Sequence, residues 1–253
     1  MIISLGEALI DRVYAPGAPE PKALVGGSPF NVAIALARLG VPSGLICPLS
    51  TDPYGALLFD TLQVEGVCAL STPRVSAPSA IAEVRTDAEG HPSYTFYRQG
   101  TADRALVASP PLSALPEAFT ALHFGSLTLA QGADWPAWRA AIVAAKARGA
   151  FIAFDPNLRP ALMDDMAAYR ERLPEAIALA DLVKASDEDL SLLAPDHAPE
   201  ETLKAWLDSA QTVVLTEGAK GARLWTASGV VATCRETITG PIVDTVGAGD
   251  TFQ

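Results

Sequence analysis

The sequence is poor in the residues that build metal centres and disulfide frameworks. Of its 253 residues, three are cysteine and three are histidine. Cys47, Cys68 and Cys234 are odd in number and fit no metal-ligand spacing, which speaks against a stapled scaffold or a zinc site and suits buried thiols in a reducing compartment. His91, His123 and His197 stand alone, and His91 sits in a turn pattern that reads as solvated. Ser126 has no histidine or aspartate partner in a recognisable motif, so serine hydrolysis has no support. Basic residues are also scarce: 18 Lys and Arg stand against 29 Asp and Glu, for a formal net charge of −11 and no basic run. That balance argues against nucleic acid as a partner. It leaves room for a phosphorylated ligand, because a local cradle of backbone N–H groups works within an acidic surface. No apolar run reaches the roughly 20 residues of a membrane-spanning helix, so no membrane is expected as a partner. The N-terminus lacks a basic stretch and carries Glu7 and Asp11 early, so no signal peptide is expected and the expected location is cytoplasmic. No Gly-x-x-x-x-Gly-Lys-Ser/Thr occurs, which excludes a P-loop enzyme.

What is present is an ordinary globular composition, 49% hydrophobic and 19% charged, sized for one large core with a small appendage. Residues 2–5 form a short apolar run ending at Gly6, the form of a buried first strand, and Asp11 falls just beyond it. Gly26-Gly27-Ser28-Pro29 is a turn that opens a helix over 30–39, with Ser28 as the expected N-cap and Gly40 as the stop. Strand 44–49, a helix over 54–65, strand 121–124, a helix near 134–148 and strand 151–154 follow. A helix over 166–180, strand 181–184, an acidic helix start at Ser186, helix 200–209 and strand 212–216 continue the rhythm, with hairpin-like strands at 222–226 and 229–233. Alternation of this kind predicts a mostly parallel sheet covered on both faces. Residues 12–15, 22–25, 80–86 and 93–98 break the rhythm and predict a small separate sheet, the last two joined by a turn at 87–92.

Several polar clusters fall directly after core strands: Asp11, Asp155-Asn157-Arg159, Lys184-Ser186-Asp189 and Thr216–Gly221. In an open parallel sheet those strand ends share one edge, which is where such folds bind ligands. The last stretch, Asp244-Thr-Val-Gly-Ala-Gly-Asp-Thr-Phe252, brings Gly247 and Gly249 immediately before the carboxylate of Asp250. Glycines there let backbone N–H groups turn toward an anion, and a helix beginning near Asp250 would add its unpaired N–H groups. The pattern fits a cradle for developing negative charge with a general base beside it. It also fits an aspartate that merely caps a helix.

Gly26-Gly-Ser-Pro-Phe-Asn31-Val-Ala33 and Asp244-Thr-Val-Gly-Ala-Gly-Asp250-Thr-Phe252 resemble the two signatures of the ribokinase (PfkB) family of sugar kinases. Gly6-Glu-Ala-Leu-Ile-Asp11, Phe96-Tyr-Arg98-Gln-Gly-Thr-Ala-Asp103 and Phe154-Asp-Pro-Asn-Leu-Arg159-Pro160 are similar to the bacterial fructokinase branch, and the order is correct along the whole chain. The resemblance implies one three-layer, Rossmann-like (ribokinase-like) α/β domain over 1–253, with a small β-sheet lid drawn from about 12–25 and 70–105. It implies ATP as phosphoryl donor, with Mg2+ and a monovalent cation such as K+, and a homodimer formed through the lid.

Residue by residue, the resemblance makes Asp250 the base and the N–H groups of Gly247, Ala248, Gly249 and Asp250 the anion hole. Asp11, Gly26, Gly27, Asn31, Arg98 and Arg159 would bind the sugar, with Arg98 closing from the lid. Lys184, Ser186, Thr216, Gly218 and Gly221 would lie along ATP, and Asp189 would hold Mg2+ through water. Ser186 and Asp189 stand where the family commonly carries Asn and Glu, and Glu188 is an alternative equivalent if the helix is shifted by one. Relatives continue past the second signature with a segment that closes the adenine pocket and completes the cation site, so part of the nucleotide site is expected to lie beyond Gln253. The expected reaction is phosphorylation of a sugar's terminal hydroxyl, fructose to fructose 6-phosphate. The alternatives are 2-dehydro-3-deoxygluconate, whose carboxylate Arg98 and Arg159 would hold together, and sugar binding without catalysis. Against the acid sugar, Phe96 stands where that branch tends to carry tyrosine.

Overall fold

The computed structural model describes residues 1–14, 19–86, 92–163, 165–235 and 247–252. In chain order the elements are β1 (Ile2–Leu5), β2 (Leu9–Tyr14), β3 (Lys22–Gly26), α1 (Ser28–Arg38), β4 (Ser43–Ile46), α2 (Pro53–Val64) and β5 (Cys68–Ala69). There follow β6 (Ala80–Thr86), β7 (Pro92–Tyr97), β8 (Ala121–Gly125), α3 (Trp135–Ala147), β9 (Phe151–Asp155), α4 (Met166–Leu179) and β10 (Leu182–Ser186). The remainder is α5 (Asp187–Leu193), α6 (Pro199–Trp206), β11 (Thr212–Thr216), β12 (Ala222–Thr226), β13 (Gly229–Cys234) and α7 (Ala248–Phe252).

Nine strands form the large sheet, in the order β13-β12-β11-β10-β9-β8-β1-β4-β5. It is parallel from β5 to β11 and antiparallel at β12 and β13. Successive side chains of a strand point to opposite faces, so each buried strand feeds two layers. On one face Ile3, Leu5, Leu122, Phe124, Ile152, Phe154 and Val183 pack against Trp138 of α3 and Tyr169 of α4. The rings of Phe124 and Phe154 stack with centroids 4.8 Å apart. On the other, Leu45 and Cys47 meet Phe30 and Ala33 of α1 and Leu58 and Leu62 of α2. Helices on both faces give the expected three layers.

That second face is polar away from α1 and α2. Ser4, His123, Asp155 and Lys184 occupy the alternate positions of β1, β8, β9 and β10, and all four are buried. Lys184 lies under the start of α7, which packs on α1.

The smaller sheet has the order β3-β2-β6-β7, with β2 and β6 parallel and the outer pairs antiparallel. Three boundaries differ from the sequence pattern. Asp11 lies inside β2, opposite Leu24, and not beyond the end of a large-sheet strand. The strand expected at 12–15 starts earlier, at Leu9, because Leu9 and Ile10 are buried in the same way as core residues. The strand expected at 44–49 ends at Ile46, short of Pro48, which has no N–H for a ladder. Residues 15–18, 87–91 with His91, and 244–246 of the last signature lie outside the described residues.

Candidate active site

Three segments converge on one carboxylate. The first is the start of α1. Gly27 has φ +107°, and a Cβ there would stand 2.7 Å from the carbonyl oxygen of Glu7, so only glycine fits this turn. Gly27 is consequently the N-cap, with no side-chain cap, and Ser28 enters the helix itself. The hydroxyl expected to cap α1 is freed, and it donates to Asp250 Oδ1 at 2.7 Å. Asn31, one turn along α1, donates from Nδ2 to Asp250 Oδ2 at 2.9 Å. Residues three apart share a helix face, which explains how both reach the same group.

The second segment is the loop after β9. Asn157 has φ +37°, a conformation that asparagine tolerates better than most residues, and its Nδ2 donates to Asp250 Oδ1 at 3.2 Å. Its backbone N–H donates to Asp155 Oδ1 at 3.1 Å, and Asp155 Oδ2 accepts from Lys184 Nζ at 2.7 Å. Burial pushes the Asp155 carboxyl up to about 7; the Lys184 ammonium opposes this, and the nearby charges of Asp189 and Asp250 reinforce it.

The third segment is α7, which starts at Ala248 after Gly247 at φ +75°. The first N–H groups of a helix have no intrahelical acceptor, so those of Ala248, Gly249 and Asp250 open beside the buried carboxylate. A Cβ on Gly249 would lie 3.4 Å from Lys184 Nζ, so the lysine sits directly under this turn.

Among the other expected sugar residues, Asp11 and Gly26 are in contact. A Cβ on Gly26 would stand 2.5 Å from Asp11 Oδ2, so this glycine makes room for the carboxylate. Burial raises the Asp11 carboxyl, and the charge of Arg159 opposes that shift. Arg159 itself donates from Nη1 to the carbonyls of Leu158 at 2.8 Å and Asn157 at 3.3 Å.

Arg98 directly follows β7 of the smaller sheet, from which it is expected to close over the sugar. It is buried, its Nε donates to Asp103 Oδ2 at 2.6 Å, and its Nη1 has no protein partner. With Phe96 it borders a cleft of about 340 Å3, across which stand Gln131 and Leu162 of the larger body.

The residues expected along ATP also lie together. Ser186 and Thr216 are register partners at the ends of β10 and β11, and the turn of Gly218 and Gly221 follows at once. Lys184 is buried against Asp155 and does not extend into solvent.

Asp189, expected to reach Mg2+ through water, is bonded to protein on both oxygens. Its Oδ1 accepts from the Leu158 N–H at 2.8 Å, and its Oδ2 accepts from the backbone N–H and hydroxyl of Ser186 at 2.9 and 2.7 Å. With the return bond from its own N–H to Ser186 Oγ, this is a reciprocal capping box for α5. Protein donors engage both oxygens, and Glu188 beside it is exposed. Among the described residues no group of three or more His, Cys, Asp or Glu side chains is placed to hold a metal. A direct Mg2+ ligand set is therefore not formed by the described residues, and the expected contact of Asp189 is one through water.

The model of the pfkB family of carbohydrate kinases matches residues 1–253. The chain belongs to that family. A fructokinase of Rhizobium leguminosarum bv. trifolii is 37% identical over 261 residues, covering 100% of this chain and 77% of that protein. Among solved structures, fructokinase with bound ATP from Xylella fastidiosa superposes with a TM-score of 0.89 at 30% identity, over 99% of this chain and 78% of that one. A double mutant of fructokinase from Vibrio cholerae O395, in a fructose-, ADP- and potassium-bound form, gives 0.84 at 30% identity, over 98% and 79%.

In this pfkB-family kinase the sequence signatures are thus the two sides of one contact, α1 against α7. Four participants were not singled out from sequence as site residues: Ser28, Glu7, Asn157 and Asp155. The last two carried a signal, since they stand in a polar cluster directly after a core strand. Ser28 carried none beyond its cap-like position. Glu7 is buried and accepts from the N–H groups of Ser28 at 3.2 Å and Leu127 at 3.3 Å, tying the start of α1 to the loop after β8. Burial raises its carboxyl, against the charge of Arg98. Among the described residues no helix is long and apolar enough to cross a membrane.

Proposed function

We propose that this chain is an ATP-dependent fructokinase that forms fructose 6-phosphate. The observation that carries the reading is the Asp250 carboxylate, buried beside the open start of α7 and gripped from α1 and the β9 loop. Asp250 takes the proton of the sugar's terminal hydroxyl as its oxygen bonds to the γ-phosphorus, and the bond from that phosphorus to the bridging oxygen of ADP breaks. The N–H groups at Gly247, Ala248 and Gly249 meet the charge on the phosphoryl oxygens. Preorganised donors of this kind, together with positioning, supply most of phosphoryl-transfer catalysis. Asp11, Gly26, Gly27, Asn31 and Arg159 face the sugar hydroxyls, the smaller sheet covers them as a lid, and Arg98 shapes that cover. Lys184, Ser186, Thr216, Gly218 and Gly221 lie on the ATP side, and Mg2+ and K+ accompany the nucleotide.

The relatives' names support fructose, and so does the disposition of the arginines. An acid sugar needs two cations free to fork around a carboxylate. Here Arg98 already shares its charge with Asp103 through Nε, and Arg159 gives one nitrogen, Nη1, to its own loop carbonyls. Exposed Leu24 and Tyr97 on the smaller sheet suit a homodimer through the lid, and three free cysteines suit a cytoplasmic setting. Incubation with ATP and a panel of fructose, ribose, glucose and 2-dehydro-3-deoxygluconate, read as ADP formed, tests the assignment. Fructose should give the highest kcat/KM; preference for the acid sugar would overturn it.

A further inference from the structure

The hydrogen bonds around Asp250 are unequal, and the inequality has chemical content. Each carboxylate oxygen offers about two lone-pair sites. Oδ1 accepts from Ser28 Oγ and Asn157 Nδ2, which fills both, whereas among the described residues Oδ2 accepts from Asn31 alone. The Ser28 bond is the shorter of the two on Oδ1, at 2.7 Å against 3.2 Å. The backbone of Ser28 is itself held in place. Its N–H is bonded to buried Glu7, and Pro29 follows it with Cγ so close to Gly6 that a Cβ there would stand 2.6 Å away. The hydroxyl is aimed by a rigid turn, and it is not needed as a cap because Gly27 occupies that position.

We infer that Oδ2 of Asp250 is the oxygen that receives the substrate proton, and that Ser28 is the positioning residue that assigns it that role. The inference rests on the kinase reading above. By occupying Oδ1, Ser28 stops the carboxylate from turning about its Cβ–Cγ bond and leaves a single open lone pair, on the oxygen next to Asn31. The O–H of the sugar donates there; the proton passes to Oδ2 as the new O–P bond forms, and Ser28 keeps its own proton throughout. Ser28 acts through Asp250 and touches neither phosphoryl group nor sugar carbon.

Ser28→Ala removes the donor, and Ser28→Thr keeps the hydroxyl. In Ser28→Ala, kcat should fall about 10-fold with KM for fructose and ATP within about 2-fold, since the loss falls on the reacting arrangement and not on binding. Ser28→Thr should recover most of kcat. In an Asp250→Asn background, adding Ser28→Ala should cost nothing further, because a residue acting only through the base has nothing left to act on. If Ser28→Ala fails to fold by circular dichroism, Ser28→Cys, close in size and a weak donor, replaces it with the same expectation. Wild-type kcat in a folded Ser28→Ala or Ser28→Cys variant overturns the inference, and so does an undiminished additional loss in the Asp250→Asn background. Wild-type turnover with unaffected Ser28 variants sinks this inference alone; no wild-type turnover on any sugar sinks the kinase reading and this inference with it.

Discussion

Arg98 and Ser28 show how much a side chain's role depends on its neighbours. Arg98, read from sequence as a sugar ligand, is also one half of a buried ion pair with Asp103, whose other oxygen takes the Thr101 hydroxyl at 2.6 Å. Removing one member of such a pair leaves an uncompensated charge in a site with little water. Arg98→Ala should therefore lower stability by about 3–5 kcal/mol in urea unfolding, in addition to weakening sugar binding. A variant with unchanged stability and a raised fructose KM would restore Arg98 to the role of a direct ligand. Ser28 runs the other way: its sequence position reads as a cap, and its hydroxyl is bonded to Asp250.

At the scale of elements, the hydrophobic periods placed nearly every strand and helix of the larger body. Ile3 and Leu5, Leu122 and Phe124, and Ile152 and Phe154 alternate within runs bounded by glycine or proline, and burial on one face leaves them no other register. β5 escaped because two residues, Cys68 and Ala69, carry no period at all. Asp11 was misplaced for a related reason. The step from β1 to β2 takes only Gly6, Glu7 and Ala8, and no local signal says that the chain has moved to a second sheet. Glu7 escaped because a carboxylate that is buried by partners 21 and 120 residues away looks, in sequence, like any surface acid. The same blindness affected Asp189. Its acidic place was legible as the start of α5 and the family resemblance implied a metal held through water, but nothing in sequence signals its bond to Leu158, which makes it a staple between α5 and the β9 loop. Asp189→Ala should cost about 1–3 kcal/mol of stability through the lost cap and the unsatisfied Leu158 N–H. The Mg2+ concentration for half-maximal activity should not move. A variant of normal stability needing at least 10-fold more Mg2+ would show that Asp189 serves the metal after all.

At the scale of the whole molecule, the polar second face of the sheet ties stability to pH. His123 is buried and its imidazole is depressed to about 3, by burial and by the charge of Lys184. It stays neutral in the fold, while the unfolded chain takes up a proton near the ordinary value of 6.5. Its contribution is present above about 6.5 and lost as pH falls toward 3. Asp155, raised to about 7 from an ordinary 3.8, works in the opposite sense: its contribution is full below 3.8 and lost as pH rises through 7. The two offset one another between about 4 and 6.5. His123→Leu removes one side of that balance. Relative to wild type, the variant should gain stability steadily as pH is lowered from 6.5 to 4, read from urea midpoints at several pH values. A pH-independent difference would mean that His123 is not held neutral.

The account as a whole stands on one group, because both signatures, three hydrogen-bond donors and the start of α7 meet at Asp250. Asp250→Asn keeps the size of the side chain and removes its capacity to take a proton. The most direct measurement is the rate of fructose 6-phosphate formation from fructose and ATP by wild type and Asp250→Asn, with fructose affinity measured alongside. A fall in kcat of about 10²–10⁴-fold with affinity little changed is the predicted result. Near wild-type turnover by the variant would contradict it and return Asp250 to the rank of a helix residue.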